Sequence, residues 1–145
     1  MCGILGYSGE FNANALKAGM RSIDHRGPDD NGVFLNDTGN IGLAHTRLSI
    51  LDLSPLGHQP MLSSDGHVVL VFNGEIYNFK ELRKELEDRG HVFRGHSDTE
   101  VLLNLYLDQG EEMLARLNGI FAFALWDGRK STLLVARDGL GVKPL

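Results

Sequence analysis

Apolar positions along the chain follow two rhythms, one close to a helical turn and one of short unbroken runs. Over 13–24, Ala15, Leu16, Met20 and Ile23 recur at near-helical spacing, and Gly27-Pro28 in "HRGPDD" stops the helix they predict. A second helix starts at Asn78, a candidate N-cap with Glu81 three residues on. It carries Phe79, Leu82 and Leu86 as one stripe and closes at Gly90. A third opens on the capping-box pattern Ser97-Asp98-Thr99-Glu100 and runs to about Asp108. Its apolar residues (Val101, Leu102, Leu103, Leu105, Tyr106, Leu107) circle nearly all faces, which predicts a buried helix. The unbroken runs predict strands at 4–7, 33–35, 41–51, 68–72, 120–126 and 132–136. Turns are expected at Asn73-Gly74, where the fourth of these ends, and at Asp127-Gly128 between the last two.

Runs such as 68–72 and 120–126 are apolar on both faces, so the sheet that holds them must be covered on both sides. Helices cladding one face and a second sheet packed on the other meet that demand, giving a layered α+β or αββα sandwich. Length and composition fit one such unit: 145 residues, 42% hydrophobic and 23% charged. The net charge of −5 and absence of a Lys/Arg cluster argue against nucleic acid or an anionic membrane surface as partner. No apolar run approaches bilayer length, and the N-terminus has neither a basic region nor a long apolar core. A single cysteine fits a reducing cytoplasm. The six histidines form no ligand pair at helical spacing, so no metal site is expected.

That single cysteine is Cys2, directly behind the initiator methionine. Cys packs well as a small apolar residue, and that is one reading of it. The other begins with removal of Met1, which makes Cys2 the N-terminal residue. Its thiol then lies a few bonds from a free α-amine able to act as base. Four further positions carry similar pairs of readings. Asn73-Gly74 is an ordinary turn, or an oxyanion hole built from a side-chain amide and a backbone N–H. Arg47 sits in an otherwise apolar strand and needs either a structural acid or a substrate carboxylate. Asp98 serves the helix dipole, or binds an ammonium group at the helix start. Glu75 is a solvated turn charge or a ligand.

The segments "MCGILGY", "HRGPDD", "AHTRLSILDLSPLGHQPM", "FNGEIYNFKELRKELE", "SDTEVLL", "LNGIFAFALWD" and "ARDGLGVKPL" together resemble the class II glutamine amidotransferase domain. Within that class the chain is most similar to the N-terminal domain of glutamine-hydrolysing asparagine synthetases, over essentially all 145 residues. The resemblance implies a four-layer αββα sandwich of the N-terminal nucleophile hydrolase type, with its C-terminal end truncated. It implies Cys2 as nucleophile with its α-amine as base, and Asn73 and Gly74 as the oxyanion hole. Arg47 would hold the α-carboxylate of L-glutamine, and Asp98 with Glu75 its α-ammonium. The implied reaction is hydrolysis of glutamine to glutamate and ammonia through a cysteinyl thioester. The ammonia would pass to an ATP-dependent synthetase domain later in a longer chain. No cofactor is expected here; ATP and Mg belong to that further domain. A non-catalytic glutamine-binding or interaction module is the alternative, if Met1 stays or the fragment is incomplete.

One motif departs from the family pattern. Gly139 in "ARDGLGVKPL" stands where the family usually has a second arginine. The segment is expected to lie away from the glutamine motifs.

Overall fold

The computed structural model describes residues 2–10, 12–49 and 54–145. Its elements, in chain order, are β1 (Gly3–Ser8), α1 (Ala13–Ser22), β2 (Asp30–Leu35), β3 (Ile41–Arg47), β4 (Met61–Leu62) and β5 (Val68–Ile76). They continue with α2 (Phe79–Asp88), α3 (Asp98–Gln109), β6 (Gly119–Asp127) and β7 (Thr132–Arg137). The strands form two antiparallel sheets, ordered β1-β3-β2 and β4-β5-β6-β7.

Three separate hydrophobic clusters fill the three gaps of a four-layer stack. Leu16 and Met20 of α1 meet Ala44 of β3. Leu43 of β3 meets Val69 and Val71 of β5 between the sheets. The largest cluster joins Val68, Leu70, Phe72 and Ile76 of β5 to Leu82 and Leu86 of α2 and to Val101, Leu102 and Leu105 of α3. The order is therefore α1, small sheet, large sheet, α2 with α3: the αββα sandwich expected from the doubly covered apolar runs.

Strand periodicity sorts side chains between the clusters. On β3, Leu43, His45 and Arg47 share the inter-sheet face. On β5 the same face carries Val69, Val71, Asn73 and Glu75. Followed in one direction, both rows pass from apolar to polar, and the polar ends belong to the same end of the sandwich.

Local predictions fared unevenly. Gly90 does end α2, at φ +94°, a conformation that suits glycine. Ser97 caps α3 by accepting the Glu100 N–H at 3.2 Å, while the Glu100 carboxylate turns back to the N–H groups of Arg94 and Gly95. Asn78 occupies the N-cap position of α2, yet its side chain does not cap. It accepts the Asn118 N–H and donates to the Arg116 carbonyl, tying α2 to the start of β6. The strand expected over 41–51 ends at Arg47, and Ile50 and Leu51 lie outside the described residues.

The turn expected at Asn73-Gly74 is absent. Strand β5 runs straight through both residues, pairing Asn73 with Ala122 and Gly74 with Phe121. The glycine is needed for proximity, not for turning: a Cβ at 74 would collide with the Ile120 carbonyl oxygen and come within 2.7 Å of the Phe121 Cα.

Candidate active site

Cys2, Arg47, Asn73, Gly74, Glu75 and Asp98 all line one small cleft of about 90 Å³. They arrive from the residue before β1 and from β3, β5 and α3, so residues 96 positions apart in the chain meet through the layer order alone. A larger, more apolar groove of about 520 Å³ opens between the sheets beside β1 and β7, and shares Asn73 with the cleft.

Cys2 is half-buried at the entry to β1. Its sulfur accepts the Leu48 N–H at 3.4 Å and lies 3.6 Å from the Leu48 carbonyl. The Cys2 carbonyl in turn accepts from Arg26 Nε at 3.2 Å. Arg26 comes from "HRGPDD", a segment that the sequence marks as a helix stop and a family motif without assigning this arginine a role. The α-amine expected as base depends on Met1, which lies outside the described residues.

Asn73 is 4% exposed, and its side-chain amide makes no hydrogen bond to protein among the described residues. The neighbouring N–H of Gly74 is unpaired for a reason visible along the outer edge of β5. Even-numbered residues of this strand point their backbone groups away from β6. Val68 N–H donates to Ser63 Oγ (2.9 Å), and β4 pairs Met61 with Leu70. Phe72 N–H donates to Gln59 Oε1 (2.7 Å), and Ile76 N–H to Asp98 Oδ2 (3.1 Å). Only Gly74 between them has no protein partner among the described residues, and it faces the cleft. Two unsatisfied N–H donors, one from Asn73 and one from Gly74, thus adjoin the sulfur's cleft. That is the polarity a developing oxyanion requires.

Arg47 is buried at the end of β3, and its Nη1 donates to the Ser54 carbonyl at 3.1 Å. The guanidinium packs against Gly57 through its Nη2 end, where a Cβ would collide with it. Asp30 is its register partner, but the Asp30 carboxylate hydrogen-bonds His58 Nδ1 at 2.7 Å.

Asp98 opens α3 and is 4% exposed. Burial is the main cause that pushes its pKa up to about 6. The Glu75 charge adds to the rise, while N–H donors from Ile76, Thr99 and Asp98 itself oppose it. Such a carboxylate gains from a bound cation. Glu75 itself is exposed at the rim.

His45 fills the space between the sheets behind the cleft, fully buried. Its Nε2 is 3.2 Å from the Phe72 carbonyl, which makes Nε2 the protonated nitrogen, and its Nδ1 has no hydrogen-bond partner among the described residues. Burial lowers its pKa to about 4, so it is neutral.

Sequence reading missed Gln59, His45, Gly57 and Arg26. The signals were present as a His inside an apolar strand and a Gln before Pro, but neither says what it touches. The last motif was also misplaced. Lys143 of "ARDGLGVKPL" is 6% exposed and lines the same cleft as Cys2, so this segment is part of the site's wall. Asp138 brings it there: its carboxylate accepts the N–H groups of Phe121, Val142 and Lys143, folding the segment against β6.

No helix among the described residues is long and apolar enough to cross a membrane. No group of three or more His, Cys, Asp or Glu among them is arranged to hold a metal.

A family model described as glutamine amidotransferase domain matches residues 1–145. The asparagine synthetase [glutamine-hydrolyzing] of Sandersonia aurantiaca is 44% identical over 150 residues, covering 100% of this chain and 28% of that protein. Asparagine synthetase [glutamine-hydrolyzing] 3 of Bacillus subtilis is 41% identical, covering 99% of this chain and 24% of that protein. The amidase chry2 of Gibberella zeae is 42% identical over 130 residues, 90% of this chain and 19% of its own length. The chain thus spans 19–28% of the length of these relatives. Among solved structures, a glutamine phosphoribosylpyrophosphate amidotransferase from B. subtilis superposes with a TM-score of 0.83. It is 24% identical and covers 99% of this chain and 38% of that one. That likeness shows the fold, the four-layer αββα sandwich.

Proposed function

Because this chain belongs to the glutamine amidotransferase domain family, we propose that it hydrolyses free L-glutamine to glutamate and ammonia at Cys2. The observation that carries this reading is the pair of unsatisfied donors, Asn73 and Gly74, at the cleft that holds the sulfur.

The Cys2 thiolate attacks the side-chain carbonyl carbon, forming a C–S bond. The carbonyl oxygen takes up the negative charge between the Asn73 amide and the Gly74 N–H. Collapse breaks the C–N bond, and the leaving nitrogen takes the proton given up by the thiol, releasing ammonia. Water then adds to the thioester, the C–S bond breaks, and glutamate leaves with the thiol restored. The α-amine of a processed Cys2 moves the protons in this proposal. Arg47 holds the α-carboxylate by its guanidinium fork, and Asp98, aided by Glu75, holds the α-ammonium. Recognition of both termini selects a free amino acid over a glutamine inside a peptide, whose termini carry no charge.

The half-reaction so written uses protein groups and water. We assign ATP and Mg to a synthetase domain that follows in a longer, cytoplasmic chain and consumes the ammonia. Two of the relatives carry glutamine-hydrolysing asparagine synthetase in their names and extend well beyond the matched segment, which supports this arrangement. Intact-mass spectrometry with a diazo-ketone analogue of glutamine tests the reading. Loss of Met1 and one adduct mapped to Cys2 are expected. A retained Met1 with no adduct would favour a binding module without hydrolysis.

A further inference from the structure

Gln59 stands on the line where β4 would pair next with β5. Met61 faces Leu70, and two further residues in the same register put Gln59 opposite Phe72. The backbone does not continue the ladder there. Instead the side chain does the pairing: Gln59 Oε1 accepts the Phe72 N–H at 2.7 Å, and Gln59 Nε2 donates to Thr99 Oγ1 at 3.4 Å. His45 Nε2 takes the other half of the same residue, the Phe72 carbonyl. Both side chains are buried, Gln59 at 5% exposure and His45 at 0%.

Phe72 is the residue before Asn73, and its carbonyl belongs to the peptide group that carries the Asn73 N–H. Thr99 is the residue after Asp98. Gln59 therefore bridges the strand that presents the oxyanion donors and the helix turn that presents the ammonium ligand. Resting on the proposed glutamine hydrolysis, we infer that Gln59, with His45 behind it, is a positioning residue for the oxyanion hole. It replaces a missing strand at Phe72 and fixes where the Asn73 amide and Gly74 N–H point. It touches no reacting atom. Gln59 lines the same cleft and its bond to Thr99 lies one residue from Asp98, but its main effect falls on the oxygen of the tetrahedral state, because Arg47 and Asp98 have anchors of their own at Ser54 and Ile76.

The experiment compares two ligands on the full-length protein. The γ-aldehyde analogue of glutamine adds the Cys2 sulfur to its carbonyl and places the resulting oxygen in the oxyanion hole. Glutamate uses only the sites for the amino-acid end. Gln59→Met, which removes both hydrogen bonds, is expected to weaken the aldehyde by about 100-fold, with kcat falling in parallel. Glutamate affinity should stay within about twofold of the wild type. Gln59→Glu keeps an acceptor for the Phe72 N–H and should recover most of the loss. Equal losses for aldehyde and glutamate, or no loss for either, would overturn the proposal. If Gln59→Met does not fold, His45→Leu against His45→Gln gives the same comparison at the Phe72 carbonyl. Failure of the wild-type protein to form any aldehyde adduct would instead overturn the hydrolytic reading itself.

Discussion

Toward β6, strand β5 is held by an unbroken ladder from Val68↔Asp127 to Ile76↔Gly119. Along its other edge β4 pairs at only two positions, and side chains of Ser63, Gln59, His45 and Asp98 take over. The same strand thus has one edge fixed by backbone and one fixed by side chains. A ladder satisfies each N–H without regard to residue type, and leaves nothing over for a ligand. Side chains satisfy selected groups, so a single N–H can be left open at Gly74. The site exists where the sheet stops being a sheet.

The largest effect should come from the side-chain edge. Asn73→Ala removes an oxyanion donor and is expected to lower kcat by about 100- to 1000-fold, with the melting midpoint little changed. Unchanged turnover would show that Asn73 is not a donor. The backbone edge should respond in the opposite currency. Gly74→Ala drives a methyl group into β6, and a stability loss of about 3 kcal/mol is expected in denaturant titrations. A stable Gly74→Ala protein would mean that the two strands can part without harm.

Asp98→Asn sharpens the contrast, since this side chain serves both edge and ligand. The folded pKa of about 6 lies above the ordinary 3.8, so between those values the folded state holds a proton that the unfolded chain has released. Stability therefore falls as pH rises through that window, and ionised Asp98 costs roughly 1–3 kcal/mol at neutral pH. The variant should melt higher at pH 7.5 while its KM for glutamine rises about 10- to 100-fold. His45 works in the other direction. Its folded pKa of about 4 lies below 6.5, so its contribution is lost as pH drops across that range. With Asp98 gone the offset disappears, and acid unfolding of Asp98→Asn should be steeper than that of the wild type. In the wild type, KM should rise as pH falls below about 6, because protonated Asp98 no longer attracts an ammonium.

The smallest expected change is at Gly57. Gly57→Ala pushes the Arg47 guanidinium off its seat and should raise KM about tenfold, leaving kcat near the wild-type value. A fall in kcat with constant KM would move Arg47 out of the carboxylate role.

The layers were legible because burial writes itself into hydrophobic runs. Val68 to Phe72 and the all-round apolar α3 announced a doubly covered sheet and a buried helix without any contact being known. The candidate ligands were legible where a charge or amide interrupts such a run, as at Arg47 and Asn73. What stayed hidden depends on partners distant in sequence. Asn-Gly signals a hairpin in isolation, and only the closeness of Ile120 and Phe121 shows that the glycine makes room for a neighbour. Asn78 reads as a helix cap until the loop before β6 claims its side chain. Lys143 was placed far from the site because its distance in sequence says nothing of the Asp138 carboxylate that folds it back.

The saturated edge of β5 has a consequence for association as well as for chemistry. An exposed strand edge is a template on which any extended chain can build, whether a neighbouring molecule or an aggregating one. Here a peptide laid alongside would find the N–H groups of Phe72 and Ile76 already engaged, with Gly74 alone between them. Such a peptide needs several donors in sequence to gain a hold, whereas an amide oxygen needs only the one N–H and the Asn73 side chain. The opening thus admits an amino acid and refuses a strand.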